Sequence, residues 1–204
     1  MVRRTKEDAM ETRAKLLDAA ELLFGKNGVA HTSMAQVAEQ AGVTRGAIYH
    51  HFSNKQDLIE SLMERVRLPT DDMRAHIREL HDYDAMQELR QRTVEFVSRI
   101  QNNPRVQALA SILLHKCEYI DEVNPIKLRH VSGRNECIDD FETLFNKAAE
   151  DNQLKAGTDT RMAVIGLFAL VDGLIYNWLL DSDYFDLTEY GEKAIEIYLN
   201  GLRR

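Results

Sequence analysis

Apolar residues recur along this chain with the spacing of helices. Positions three and four residues apart are apolar in stretch after stretch, and helix-capping residues precede most of these stretches. The pattern predicts helices over residues 8–26, 34–41, 45–52, 55–67, 85–101, 104–119, 125–151, 157–180 and 188–201. We therefore predict an all-α fold.

Two short helices lie near the N-terminus, on either side of a tight turn. Ser33-Met34-Ala35-Gln36 has the capping-box pattern, in which hydroxyl and amide satisfy each other's unpaired backbone groups. Gly42 can adopt the positive φ that a sharp turn requires, and Thr44 then caps the second short helix. Ser53-Asn54-Lys55-Gln56 is a second capping box, which starts the next helix. Two short helices around a glycine turn have helix-turn-helix geometry.

Charge divides the chain into a head and a body. Residues 1–55 carry eight Lys or Arg and six Asp or Glu, a net charge of +2, whereas residues 56–204 carry 18 and 27, a net charge of −9. The polar stretch from Pro69 to Asp84 is the expected boundary region, and Pro69 should end or bend the fourth helix. We predict a three-helix helix-turn-helix head over 1–55 and a helical body over 56–204, with different partners.

The composition is that of a globular protein. Of 204 residues, 44% are hydrophobic and 29% are charged, which excludes a disordered chain. Three Pro and ten Gly are too few for a collagen-like or turn-dense all-β protein. Two Cys cannot form a disulfide framework, and no apolar signal core follows the first residues, so we expect a cytoplasmic protein.

The second short helix presents a face that suits a DNA major groove. Arg45 lies at its N-terminal end, where a guanidinium can bond the acceptor edge of guanine, and Gly46 would allow the backbone to approach closely. We also expect Ala47 and His51 to be exposed there. The candidate DNA-binding residues, which include possible phosphate contacts, are Thr32, Ser33, Thr44, Arg45, Gly46, Tyr49, His50 and Lys55. The alternative is a helical hairpin that caps a bundle, with Arg45 only solvated.

The run AEQAGVTRGAIYHHFSNK, residues 38–55, lies within a longer segment, 12–58, that is similar to a known family. This segment resembles the N-terminal domain of TetR-family transcriptional regulators, and most closely the AcrR-like repressors of multidrug efflux pumps. The opening RRTKE, residues 3–7, is similar too, but position 50 is more often Trp in those relatives. A thinner likeness covers residues 114–119, 172–179 and 185–187.

The resemblance implies a function. A protein like these relatives would be a repressor that binds a palindromic DNA operator as a homodimer and controls an efflux system. An apolar or cationic small molecule would release it from the operator.

The segment from Arg161 to Leu180 is apolar on every side, and no side chain from Ala163 to Val171 is polar. A helix of this kind is buried in protein or in membrane. Asp172 and acidic flanks disfavour a membrane span. We expect one face in the subunit core and another against a partner, with the helices that begin near residues 124 and 157 paired with their copies across a two-fold axis.

Asp172 interrupts this apolar helix, and we expect its carboxylate to be buried. It would then anchor a cationic or hydroxyl-bearing ligand, or pair internally with Arg92, Arg99 or Arg134. Apolar neighbours could complete a pocket for loosely recognised compounds. The candidate ligand-binding residues are Val94, Val97, Leu113, Leu114, Cys137, Phe141, Phe168, Val171, Asp172 and Ile175. For each apolar residue taken alone, the alternative is ordinary core packing.

Other functional classes find little support in the residues. His115 and Cys117 are two positions apart on a helix and therefore diverge, so they do not form a nucleophile–base pair. Neither a metal-ligand spacing nor a glycine-rich phosphate loop occurs, so we expect no catalytic residue, metal or cofactor. Two alternatives stay open, namely a redox sensor that uses Cys117 and Cys137, and a helical interaction module without DNA binding.

Overall fold

The computed structural model describes residues 6–66, 83–118 and 124–204. Within these ranges the chain forms nine α-helices: α1 Lys6–Asn27, α2 Met34–Gln40, α3 Arg45–Tyr49, α4 Lys55–Arg65, α5 Ala85–Asn102, α6 Pro104–Ser111, α7 Asn124–Glu150, α8 Thr160–Leu180 and α9 Leu187–Leu202. A π-helical turn, Ile112–Lys116, continues α6. No strand occurs in these ranges, so the all-α prediction is confirmed.

Most helix ends fall where the capping residues predict them. The Ser33–Gln36 capping box is present, and Thr44 caps α3 through the backbone N–H of Ala47 at 3.2 Å. The prediction of a second capping box at residues 53–56 is wrong. Asn54, and not Ser53, caps α4, and its side chain accepts the N–H of Asp57.

Aspartates cap the last two helices, and both caps differ from the predicted starts. Asp159 caps α8 and Asp186 caps α9, so α8 begins later than predicted and α9 one residue earlier. An Asp side chain can accept the free N–H groups of the first helical turn, which explains the preference for these positions. The predicted bend at Pro69 and the predicted end of the sixth helix at Tyr119 lie outside the described residues.

The chain divides into two compact units. Unit 1 comprises Met1–Arg67 and Ala108–His130, and unit 2 comprises Leu68–Gln107 and Val131–Arg204. Two of the three boundaries along the chain fall inside α6 and α7, so each of these helices runs from one unit into the other. The division into residues 1–55 and 56–204 stays a prediction.

Unit 1 contains the two short helices. In it α1 packs on α2, α4 and the π-helical turn, and α2 packs on α3. Side chains at most 1% exposed form its centre, and the large ones include Leu16, Phe24, Ile48, Phe52 and Leu58. Gly42 adopts φ +68°, and the N–H of Val43 returns to the carbonyl of Ala38 at 3.0 Å. The helix-turn-helix geometry follows from this turn.

Unit 2 is built around α9, which packs on α5 and on α8. Two glycines allow close approach. A Cβ at Gly191 would lie 2.8 Å from Cγ1 of Val97 on α5, and a Cβ at Gly166 would collide with the hydroxyl of Tyr198. That hydroxyl donates to the carbonyl of Ala163 at 2.8 Å, so the ring cannot simply move away. Substitutions at these glycines would therefore force helices apart.

Candidate nucleic-acid interface and ligand pocket

The helix α3 has a buried face and a solvent face. Ala47 and Ile48 are buried inside unit 1, whereas Arg45, Gly46 and Tyr49 are exposed. The expected exposure of Ala47 is therefore wrong. A five-residue helix has space for only one inward stripe, and Ala47 lies on it beside Ile48.

The exposed face of α3 has the shape and chemistry for base reading. Arg45 is the first helical residue, so its guanidinium can reach forward from the helix N-terminus. Nothing lies within 4 Å of a Cβ built on Gly46, so a DNA backbone could come close there. Tyr49 is 50% exposed and His50 follows it at the C-cap, both accessible to phosphates.

Three other candidate residues belong to the loop before α2 or to its contacts. The Ser33 side chain is exposed at the α2 cap. Thr32 is 1% exposed, and its hydroxyl donates to the carbonyl of Gly28 at 2.8 Å. Lys55 is half-buried and donates to the carbonyl of Val29 at 3.2 Å. The Thr32 hydroxyl is therefore inside the fold and bonded to the Gly28 carbonyl, so it is not available to a phosphate.

The helix α4 is fastened to α1 by polar contacts. Arg13 donates to the hydroxyl of the buried Ser61 at 2.8 Å, and its guanidinium lies 5.1 Å from the ring centre of Phe52. Farther along, Arg65 lies 2.6 Å from the carboxylate of Asp18. A movement of α4 would therefore carry α1 with it, and with α1 the helices that pack on it.

In unit 2 the structure brings several candidate ligand residues into the interior. Phe141 and Phe168 meet edge to face, with ring centres 5.5 Å apart. The buried candidates of this unit are Val97, Cys137, Phe141, Val171 and Ile175. Val97 packs against the backbone at Gly191, which fits its alternative as ordinary core.

The remaining apolar candidates lie elsewhere. Val94 is half-buried and lines a surface cleft of about 400 Å³ with polar residues of α5, the start of α6 and Thr188. Leu113 and Leu114 belong to the π-helical turn in unit 1, where Leu113 is buried and Leu114 is 39% exposed. The ligand-binding role of the whole set stays a prediction.

Asp172 does not occupy the buried position that its apolar surroundings suggested. The residue is exposed, so the expectation of a buried carboxylate is wrong. The physical reason is that only one side of α8 packs inside the unit. That side, with Ala163, Leu167 and Val171, is buried, and Asp172 lies outside it with the exposed Ile165 and Tyr176.

Two buried nitrogen donors were not identified as site residues from the sequence. Arg92 is 5% exposed and donates through Nη2 to Glu88 at 2.6 Å, yet its Nε has no hydrogen-bond partner. Trp178 is 4% exposed, and its indole nitrogen also has none. Buried polar groups are normally satisfied, so these two N–H groups can receive an acceptor. A polar residue within the apolar stripe of a predicted helix was the available signal for Arg92.

Both cysteines, Cys117 and Cys137, are free thiols. Cys117 is half-buried, and desolvation raises the pKa of its thiol, which disfavours the reactive thiolate. Among the described residues no cluster of His, Cys, Asp or Glu could hold a metal. The helix α8 is long and apolar enough to span a membrane, but core helices of soluble proteins share that property.

The geometry of unit 1 defines a helix-turn-helix DNA-binding transcription regulator. The chain belongs to the TetR family: residues 16–62 match the model for bacterial regulatory proteins of the tetR family. Residues 84–203 match the C-terminal region of MAATS-type transcriptional repressors. These matches confirm the resemblance found in the head and extend it through the body.

Known relatives share the whole length of the chain. The transcriptional regulator TtgR of Pseudomonas putida is 37% identical over 203 residues, which cover 100% of this chain and 97% of that protein. AcrR of Shigella flexneri is 32% identical over 202 residues, with coverage of 98% and 93%. The likeness to AcrR-type regulators is thus confirmed.

A solved structure shows the same arrangement of helices. NalD, the secondary repressor of the MexAB-OprM multidrug efflux pump in Pseudomonas aeruginosa, superposes with a TM-score of 0.87 at 34% identity. The match covers 98% of this chain and 99% of NalD. Regulators of this family are not enzymes, and neither the redox sensor nor the non-DNA-binding module gains support.

Proposed function

We propose that this protein is a cytoplasmic repressor that binds a palindromic operator, controls a multidrug efflux system and is released by small molecules. The exposed Arg45 at the start of a correctly capped α3 carries the proposal for operator binding. The relatives named above support the efflux role, because NalD is itself a repressor of an efflux pump. In this proposal residues 1–55 read DNA and residues 56–204 bind ligand and partner.

A dimer places two copies of α3 on successive turns of one face of DNA. The solvent face of α8 supports a contact between copies, since Met162, Ile165, Tyr176 and Leu180 are between 45% and 71% exposed. Large exposed apolar surfaces mark protein contacts. The exposed Tyr190 and Ile197 favour α9 as the second helix of the interface, whereas the solvent side of α7 in unit 2 is polar. This pairing replaces the expected one of α7 with α8.

The proposed ligand site lies in unit 2, around the aromatic pair Phe141 and Phe168. The structure of SmeT, a repressor 27% identical to this chain, was solved with triclosan, and it matches with a TM-score of 0.80. A phenol also brings an oxygen acceptor, which suits unit 2 because its interior holds two N–H groups without a hydrogen-bond partner, on Arg92 and Trp178. We therefore propose apolar ligands with an oxygen acceptor, and not cations anchored by the exposed Asp172.

Repression would end through a shift of population. A ligand that fits one arrangement of the body favours that arrangement in proportion to its differential affinity. Because α4 is tied to α1 through Arg13 and Arg65, a tilt of α4 would move the head. The spacing of two recognition helices on DNA is strict, so a coupling of about 1–3 kcal/mol would be enough for induction.

Selection of duplex DNA from a random pool at physiological salt tests this proposal. The bound complex is then challenged with triclosan and, separately, with tetraphenylphosphonium as a cationic probe. We expect a palindromic site and release by triclosan. Failure to enrich any duplex would overturn the operator proposal, and an enriched site that no probe releases would overturn the ligand class.

A further inference from the structure

The loop between α1 and α2 is held in place by three separate elements of unit 1. The backbone N–H of Val29 donates to the carbonyl of Lys116 at 2.9 Å, and the carbonyl of Val29 accepts Nζ of Lys55 at 3.2 Å. Val29 itself is 1% exposed. Gly28, at φ +85°, turns the chain out of α1 and faces the same Lys116 oxygen. The loop thus joins α1, α4 and the end of the π-helical turn.

This loop sets the position of α2. Thr32 closes it by donating to the carbonyl of Gly28, and the next residue, Ser33, is the N-cap of α2. The helix α2 packs on α3, the helix that carries Arg45. A displacement of Val29 would therefore move α2, and through α2 it would move α3, the recognition helix.

The other partner of the hydrogen bond is an unusual element. Lys116 is the last residue of the π-helical turn Ile112–Lys116, which continues α6. A π-turn holds one residue more than an α-turn, and here it forms the C-terminal end of the helix, with Cys117 as the C-cap. Conversion to α-helix would shift the register by one residue and rotate the Lys116 carbonyl by about 100° around the axis. The carbonyl would then no longer point at Val29.

We infer that the hydrogen bond from Val29 to Lys116 is a latch, and that the π-helical turn opens it when it converts to α-helix. The inference rests on the proposed function and gives its regulation a second route beside the tilt of α4. The helix α6 begins in unit 2 and carries the π-turn into unit 1, so a ligand-dependent change in α6 reaches the latch along one continuous backbone. With the latch closed, the loop holds α2 and α3 for operator binding.

A double-mutant cycle tests the latch without any ligand. Deletion of Leu114, the exposed residue of the turn, would restore α-helical spacing, and Gly28→Ala would strain the loop at its positive φ. We expect each change to weaken operator binding about tenfold and the double variant to bind no more weakly than either, because both act through one hydrogen bond. Gly157→Ala is the matched control, with φ +80° and nothing within 4 Å of its Cβ.

Three results would overturn the latch. The first is that the two effects on operator affinity multiply, to about a hundredfold in the double variant. The second is that neither change weakens operator binding more than the control Gly157→Ala does. The third is that hydrogen exchange at the Val29 amide accelerates in Gly28→Ala while operator affinity stays at the wild-type value, and this result does not need the deletion variant to fold. If the wild type enriches no duplex, the proposed function fails, and exchange at Val29 after deletion of Leu114 still decides whether the turn holds the loop.

Discussion

Single residues carry the base reading proposed for this protein, and Arg45 is the residue on which it depends most. Its position at the first turn of α3 is fixed by the cap at Thr44 and by the burial of Ala47 and Ile48 behind it. The side chain therefore starts from a rigid base, and little conformational freedom of the backbone is lost when it contacts DNA.

Replacement of Arg45 by Ala should weaken binding to the selected operator by about 1–3 kcal/mol and relax the preference for one base pair in each half-site. Lys26→Ala is the control, since Lys26 is also exposed and basic but lies in the last turn of α1. Fluorescence anisotropy with operator and scrambled duplexes measures both effects. An Arg45→Ala protein that binds both duplexes like the wild type would remove the residue from base reading.

The proposed ligand class can be tested by a substitution at Arg92, which is buried in the body. Arg92→Lys keeps a positive charge beside Glu88 and removes the unsatisfied Nε donor. We expect triclosan to bind more weakly by about 1 kcal/mol, measured by calorimetry. Arg90→Lys, on the same helix and paired with Glu192 at the surface, should leave the Kd unchanged. Equal affinities of the two variants for triclosan would contradict the role of Arg92.

At the scale of elements, helix caps explain why so much of the fold could be predicted. A capping hydroxyl, amide or carboxylate acts within one turn, so Ser33, Thr44 and Asn103 could be recognised from neighbouring residues alone. The π-helical turn could not be recognised from neighbouring residues, since it packs on α1, which is distant in sequence. The same limit applies to Asp172, whose exposure depends on which face of α8 meets α9.

The cap of α5 predicts a pH dependence of stability. A hydrogen bond from the backbone N–H of Gln87 is the main cause that lowers the pKa of Asp84 below its usual value. The folded state therefore favours the carboxylate. Its contribution is complete above the unfolded pKa and is lost as the pH falls through the lowered folded pKa. Asp84→Ala should cost about 1 kcal/mol of unfolding free energy at neutral pH.

Urea unfolding at pH 7 and near pH 3 checks this prediction. The difference in unfolding free energy between wild type and Asp84→Ala should shrink at the acidic pH, whereas Asp84→Asn, which can still cap, should remain closer to the wild type at neutral pH. A difference that grows toward acid would show that the carboxylate does not stabilise the cap.

At the scale of the whole molecule, the proposed function requires two copies. Ile165→Glu places a charge on the apolar solvent face of α8, where Ile165 is 50% exposed. We expect the dimer to dissociate and operator affinity to fall more than tenfold, because each half-site would then be bound alone. Leu22→Glu, at a residue 56% exposed on α1, should do neither. Light scattering across a dilution series gives the mass of each variant. If the Ile165→Glu protein is still a dimer, this face of α8 is not the interface.

The head could be predicted from the sequence more fully than the body. Its chemistry lies in one short run where a cap, a glycine turn and an exposed Arg45 are neighbours. The pocket depends on residues from several helices, and periodicity cannot decide whether Val97 lines a cavity or packs on Gly191. The position of Val97 depends on packing between helices that are distant in sequence. The same kind of packing buries the indole N–H of Trp178 without an acceptor.

The contact of α5 with α9 at Gly191 has a consequence for heredity. Any base change at the first two positions of a glycine codon introduces either a larger residue or a stop, and at Gly191 a larger residue meets Val97. Missense alleles at this codon would therefore disturb the packing of α5 on α9 and inactivate the repressor, although Gly191 itself is not among the residues proposed to contact DNA or ligand. Among bacteria selected for survival on compounds that the pump expels, such alleles should arise repeatedly, and a second, intact copy of the gene should restore sensitivity.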